Sequence, residues 1–224
     1  MSILEHLLAI IAPLECAVCR RQGEALCGAC AHDVLTELPS RCFRCFKRTA
    51  DYRTCSNCRR FAPIRHVWIS SEYNEEIARM IKHYKFERQR ALARPLARLL
   101  ADSLPYHKRP LVIVPIPTAT SRVRQRGYDH TWLLGQALAE RLGWPLQTHL
   151  RRIGQSRQVG TTRANRFAQL GGAFHAVRGG LLAEQGVLLV DDVVTTGATL
   201  SEAARTLKAA GAGFVSAVAL AHKS

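Results

Sequence analysis

The stretch from Gly186 to Leu200, GVLLVDDVVTTGATL, constrains this chain more than any other. Four apolar residues, Val187 to Val190, run into two adjacent acids, Asp191 and Asp192. After two valines comes Thr195-Thr196-Gly197-Ala198-Thr199. A short, β-branched apolar run that ends in polar residues predicts a parallel strand buried on both faces. A helical pattern follows through Ala210, so the small and hydroxyl residues occupy a turn that opens a helix. Such a turn aims backbone N–H groups at an anion, and the helix adds its positive end. The acids at the strand tip suit the hydroxyls of a ribose or a metal-bound sugar. An ordinary strand-turn-helix has no need of five consecutive small or hydroxyl residues at that turn.

Two common phosphate-binding patterns are excluded. The Walker spacing and its lysine are missing, and one glycine stands where a dinucleotide fingerprint needs three. The stretch resembles the signature that binds 5-phosphoribosyl 1-pyrophosphate (PRPP) in type I phosphoribosyltransferases. That resemblance implies that Asp191 and Asp192 hold the ribose hydroxyls and that Thr195, Thr196, Gly197, Ala198 and Thr199 hold the 5′-phosphate. It also implies Mg2+ bound together with PRPP.

All eight cysteines precede residue 60, as Cys16/Cys19, Cys27/Cys30, Cys42/Cys45 and Cys55/Cys58. Each pair is C-x-x-C, the spacing that lets two thiolates of one knuckle meet a tetrahedral zinc. Fourfold repetition without a βαβ context argues against a redox motif. Disulfides are disfavoured in a chain read as cytoplasmic. Four pairs can combine in three ways, and sequential sharing is expected because it needs only local loops. The expected result is two structural four-cysteine zinc sites in a small ribbon module over residues 1–63. Metal would supply most of that module's folding energy, since so short a stretch buries little core.

The formal net charge is +15 and the pI about 10.1, which implies a polyanionic partner. From Arg79 to Arg126 twelve Lys and Arg face only Glu87 and Asp102, more cations than PRPP needs. Single-stranded DNA is the natural further partner. Arg44, Lys47 and Arg48 interleave with Phe43, Phe46 and Tyr52, a pattern for phosphate contacts with base stacking, although the rings may equally be needed to pack the ribbon. Lys82, Lys85, Arg88 and Arg90 extend the candidate nucleic-acid set.

No segment approaches the roughly twenty apolar residues of a membrane span. Ser2 to Glu5 reads as a capping box that opens a short amphipathic helix ending at Pro13, without the marks of a signal peptide. The protein is expected in the cytoplasm, with no membrane insertion.

Residues 64–224 read as a second, α/β unit. Val67 to Tyr73 predicts a strand. Asn74 then opens a helix with Ile77, Met80, Ile81 and Tyr84 on one face, and Pro95 starts another. Leu111 to Val114 predicts a buried strand that runs into Pro115-Ile116-Pro117. Thr118, Arg122, Arg124 and Arg126 follow on an expected polar loop, before a helix from about Thr131 to Leu142. The phosphoribosyltransferase resemblance implies that this loop binds pyrophosphate, a task suited to arginine's planar fork. Arg151, Arg152, Arg157, Arg163 and Arg166 fall in a segment expected to close over the substrate. Thr199 and Glu202 form a capping-box pattern, and Gly211 precedes a last strand from Phe214 to Leu220.

Taken together, the multi-C-x-x-C start, Ile81-Lys82-His83-Tyr84-Lys85-Phe86, Val114-Pro115-Ile116-Pro117 with Arg126-Gly127-Tyr128, and DDVVTTGAT resemble the ComF family over nearly the whole chain. Members are competence and DNA-utilisation proteins in which a zinc-ribbon module joins a phosphoribosyltransferase domain. The resemblance implies a parallel sheet flanked by helices, PRPP with Mg2+, transfer with pyrophosphate release, and partners in DNA uptake. Its alternative is a catalytically silent PRPP fold that serves as a sensor or nucleic-acid binder. Where relatives carry Arg-Gly-Phe-Asn-Gln, this chain has Arg126-Gly127-Tyr128-Asp129-His130.

Overall fold

A computed structural model describes residues 13–35, 38–87, 89–106, 109–153, 172–177 and 184–223. The expected N-terminal helix, Arg88, and Arg157, Arg163 and Arg166 of the cationic segment lie outside these residues. In chain order the described elements begin with α1 (Gly28–Asp33), α2 (Ser56–Arg59), β1 (Val67–Glu72) and α3 (Glu75–Phe86). A 3-10 turn (Arg90–Leu92) leads into α4 (Ala93–Asp102), β2 (Val112–Pro115), α5 (Thr120–Arg126) and α6 (His130–Leu142). The chain continues with β3 (Leu150–Arg152), β4 (Phe174–Ala176), β5 (Gly186–Val194), α7 (Ala198–Ala209) and β6 (Phe214–His222).

Strands β1, β6, β5 and β2 form one parallel sheet in that order, and β3 pairs antiparallel with β4 apart from it. The central β5 and β6 read as unbroken apolar runs because both of their faces are covered. Alternation divides them cleanly. Leu188, Val190, Val218 and Leu220 pack with Ile77, Met80, Ile81 and Tyr84 of α3, Leu96 and Leu100 of α4, and Leu134 and Leu138 of α6. Val187, Leu189, Val215 and Ala217 pack on the other face with Leu200, Ala203 and Leu207 of α7.

The cysteine-rich stretch joins both cores. Ala17, Leu26 and Val34 of the first set lie in the α3 core, and Arg79 Nη1 donates to the Val18 carbonyl at 2.9 Å. Phe43, Ala62 and Ile64 of the second set lie in the α7 core. Backbone bonds continue that second set into the sheet edge: Val67 N–H to the Tyr52 carbonyl at 3.1 Å and Arg65 N–H to the Val215 carbonyl at 2.7 Å.

Asn74 caps α3 by accepting from the Ile77 N–H at 2.9 Å. The expected Thr199–Glu202 capping box does not form. Gly197, with φ +70°, is the N-cap, so α7 starts at Ala198 and Thr199 already lies within its first turn. Glu202 instead accepts from the Gly172 N–H at 2.8 Å and pairs with Arg205. Among the described residues no helix is long and apolar enough to cross a membrane.

Candidate functional site

Alternation along β5 sends the two adjacent acids to opposite sides of the sheet. Asp192 follows Leu188 and Val190 toward α3 and α6, while Asp191 follows Val187 and Leu189 toward α7. Asp192 is buried and Asp191 half-buried. Their environments separate them chemically. Asp192 Oδ2 pairs with Lys85 Nζ from α3 and lies 3.3 Å from His130 Nε2 of α6. Burial alone would raise the Asp192 carboxyl, but Lys85 and His130 outweigh it and hold that group well below the usual range. Asp191 has burial and the neighbouring Asp192 charge against it, and is pushed up to about 8. Asp192 is thus paired with Lys85, whereas at Asp191 the Lys85 charge only partly offsets burial and the neighbouring carboxylate.

A third charge orders this cluster. Arg126 Nη1 lies 2.9 Å from His130 Nδ1. Guanidinium groups only donate, so Nδ1 accepts and the imidazole proton belongs on Nε2, aimed at Asp192. Tyr84 donates to the His130 carbonyl at 2.7 Å, locking the start of α6 against α3.

The segment after β2 differs from expectation. Residues 120–126 form the short helix α5 rather than an open loop, and Gly127, with φ +81°, ends it. Arg122 and Arg124 are exposed, whereas Arg126 is buried beneath Phe86, its guanidinium 4.9 Å from the ring. Thr118 donates to Asp129 Oδ1 at 2.8 Å. Asp129 in turn caps α6, accepting from the Thr131 and Trp132 N–H groups at 3.1 and 3.2 Å. An acid caps a helix as well as the amide of the relatives does. His130 is the consequential departure, because its imidazole reaches Asp192.

The turn after β5 is shaped by a close approach from the second cysteine set. A Cβ on Gly197 would lie 2.3 Å from Cε2 of Phe43, so that position accepts only glycine on grounds of both space and φ. Thr195 is exposed, Thr196 and Thr199 are partly buried, and Gly197 and Ala198 are buried. The Thr196 hydroxyl accepts from the Ala198 N–H at 3.3 Å. A cleft of ≈ 290 Å³ beside this turn runs between Phe43, Phe46 and Tyr52 on one side and Ile69, Glu72 and His222 on the other.

The cysteines assemble as two sequential sets, Cys16, Cys19, Cys27, Cys30 and Cys42, Cys45, Cys55, Cys58, with each set's sulfurs within 4.8 Å of one another. The Cys19–Cys27 and Cys45–Cys55 sulfurs are 3.7 and 3.6 Å apart, near the edge of about 3.8 Å in a tetrahedron with Zn–S bonds of about 2.3 Å. Burial disfavours ionisation at Cys16, but N–H groups of Cys19, Cys27 and Val18 outweigh it and bring the thiol to about 6. The Cys58 N–H brings Cys55 to about 7. Burial and neighbouring sulfurs push Cys30 and Cys58 up. Full ionisation of either set therefore calls for a cation at its centre, and the donor set suits zinc.

The residues expected at nucleic acid divide. Lys47 and Arg48 are exposed, and Arg44 lies over the Phe61 ring at 5.0 Å. Lys82 is exposed and pairs loosely with Glu87 at 3.6 Å. Arg90 donates to the Gly127 carbonyl at 3.1 Å and lies over Tyr128. Lys85 turns inward to Asp192, three residues beyond Lys82 on a helix whose other face is buried. The rings of Phe43 and Phe46 pack rather than stand open, Phe43 on Gly197 and Phe46 edge-on to His222 at 4.8 Å. The roles of Lys85 and His130 carry no local sequence signal beyond the departure at His130, because both depend on helices meeting over β5.

A model of the phosphoribosyl transferase domain matches residues 132–224. Competence protein F of Haemophilus influenzae is 31% identical over 207 residues, covering 88% of this chain and 85% of that protein. DNA utilization protein YhgH of Salmonella typhimurium is 31% identical over 217 residues, covering 89% and 86%. Competence protein ComFC of Streptococcus pneumoniae is 26% identical over 201 residues, covering 89% and 82%. With two four-cysteine sets ahead of a parallel sheet that ends in paired acids and a glycine-pinned turn, the chain belongs to the ComF family of competence and DNA-utilisation proteins.

Proposed function

We infer that this chain binds PRPP at the carboxyl edge of β5 and releases pyrophosphate from it, and that it handles single-stranded DNA. The observation that carries the reading is the acid pair followed by a turn whose Gly197 is held open under Phe43 at the start of α7. In this reading the N–H groups of Thr195 to Thr199 receive the 5′-phosphate at the helix's positive end. Asp191, half-buried and with its pKa raised by burial and the Asp192 charge, accepts from the ribose hydroxyls. Asp192 works from behind, holding Lys85 at the site. Arg122 and Arg124 face the pyrophosphate, and Arg126 orients His130.

Asp191 also fits a divalent cation, since its raised pKa marks a carboxylate that a cation would ionise. Mg2+ bound with PRPP would offset charge on the departing pyrophosphate. Cleavage at C1 builds positive charge on the ribose ring and needs a positioned, closed site rather than a protein nucleophile. An amine, a base or water as acceptor gives the same pyrophosphate readout.

The DNA part rests on the charge of +15 and on the similarity to a competence protein and a DNA utilization protein. Titration of zinc-loaded protein with PRPP and Mg2+, with and without single-stranded DNA, tests both parts while pyrophosphate is followed. Turnover lost in Asp191→Asn with Asp192→Asn supports the enzyme. Saturable binding without release favours the sensor reading, and no PRPP binding overturns both.

A further inference from the structure

A second concavity shares no residue with the acid site. It is a cleft of ≈ 320 Å³ where the second cysteine set meets α7, lined by Arg44, Arg60, Phe61 and Arg205. Three arginines share the cleft with one apolar ring that is 62% exposed. An exposed ring set among guanidinium groups offers a stacking surface beside donors for anions.

The cleft is built, not incidental. The Phe61 N–H donates to the Cys58 carbonyl at 3.1 Å, so a metal-site residue sets the position of the ring. Arg44 sits between Cys42 and Cys45 in the same set and lies over the ring at 5.0 Å. Arg205 Nε donates to the Phe61 carbonyl at 3.3 Å, and its Nη1 pairs with Glu202, which fixes that guanidinium as one wall. Arg60 is exposed beside the ring. Arg44 lies over one face of the ring, and the rest of its exposed surface stands among Arg60 and Arg205, an arrangement that matches an unpaired base flanked by phosphates. A duplex offers no such base, because its bases are stacked on one another.

We propose that this cleft binds one nucleotide step of a single-stranded nucleic acid, with a base on Phe61 and phosphates on Arg44, Arg60 and Arg205. The proposal rests on the DNA-handling reading above and gives it a place, where Arg44 of the expected set is joined by Arg60, Phe61 and Arg205.

The test is fluorescence anisotropy of a fluorescein-labelled dT12 strand with the zinc-loaded full chain, across a range of salt concentrations. Phe61→Ala should weaken binding about five- to a hundredfold, and Phe61→Trp should restore it. Arg60→Ala should weaken binding and flatten the plot of log affinity against log salt by about 0.7, one phosphate contact on a single strand. An abasic strand should keep the Arg60 effect and lose the Phe61 effect. Unchanged zinc content and melting temperature confirm that the exposed ring was not holding the fold. Wild-type binding with unchanged Phe61→Ala and Arg60→Ala variants overturns this cleft alone. Equal losses on duplex and single strand overturn the stacking role. Failure of the wild type to bind dT12 overturns the DNA reading itself.

Discussion

The two four-cysteine sets have the same spacing at their first knuckle and assemble the same donors, yet they stand in different relations to the rest of the molecule. The first set lies against α3 through Ala17, Leu26 and Val34 and through the Arg79–Val18 bond. The second is hydrogen-bonded into the sheet edge, sends Phe43 onto Gly197 of the turn after β5, and lines the basic cleft with Arg44. Even the knuckle residue after the first C-x-x-C differs in use. Arg20 and Phe46 both have φ +61°, but only Phe46 gains a ring contact, with His222. The two sets offer a metal the same donors, and what each touches decides whether a metal held there would stiffen the turn after β5.

The largest expected effect breaks one set at a time. Cys16→Ser and Cys42→Ser should each lower zinc from two ions per chain to one, since each set holds four sulfurs. Both should lose much stability, because structural zinc carries about 10–16 kcal/mol in zinc-finger peptides. Only Cys42→Ser should also abolish calorimetric PRPP binding. Equal loss of PRPP binding in folded Cys16→Ser protein would break the contrast.

Next comes the contact itself. Phe43→Ala should cost about 3–5 kcal/mol in denaturant unfolding, and Leu26→Ala about 2–5 kcal/mol. PRPP affinity should fall only in the first. Gly197→Ala should cost about 1–3 kcal/mol from crowding. Combined with Phe43→Ala it should be less than additive, because the ring that a new Cβ would strike is gone.

The adjacent acids repeat the lesson, with identical side chains and opposite neighbours. Asp192 has its folded pKa below the unfolded value. Its contribution is therefore present above about pH 4 and is lost as pH falls from there. Asp191 has a folded pKa of about 8, above the unfolded value, so the folded state binds the extra proton and stability falls as pH rises from about 4 toward 8. Thermal melts against pH should show Asp191→Asn flattening that window. Asp192→Asn should remove the acid limb and cost up to about 3–5 kcal/mol at neutral pH by leaving the partly buried Lys85 without its counter-charge.

The smallest effect is at the knuckles. Arg20→Gly should stabilise by about 0.5–1 kcal/mol, as left-handed backbone strain is relieved. Phe46→Gly should be near neutral, since the aromatic pair it loses is worth about 0.5–1.5 kcal/mol.

Local chemistry was enough for much of this molecule. The run Val187 to Val190 could only be a doubly covered strand, C-x-x-C spacing could only bring sulfurs together locally, and the apolar period of α3 marked its buried face. These readings depend on neighbours a few residues away. Tertiary structure alone decided the partners of those elements. Lys85 and Asp192 are more than a hundred residues apart and looked like a surface cation and a ribose ligand. Helix α3 packs over β5 and closes them into a buried pair. Thr118 to Arg126 read as a loop because arginine spacing says nothing of where a chain bends, whereas Gly127 and the Asp129 cap divide it into helices. Phe43 read equally as a ring to stack on a base or to pack the ribbon, until the sheet brought Gly197 beneath it. Periodicity and ligand spacing are written along the chain, but a contact across the fold depends on which faces the packed core leaves to meet.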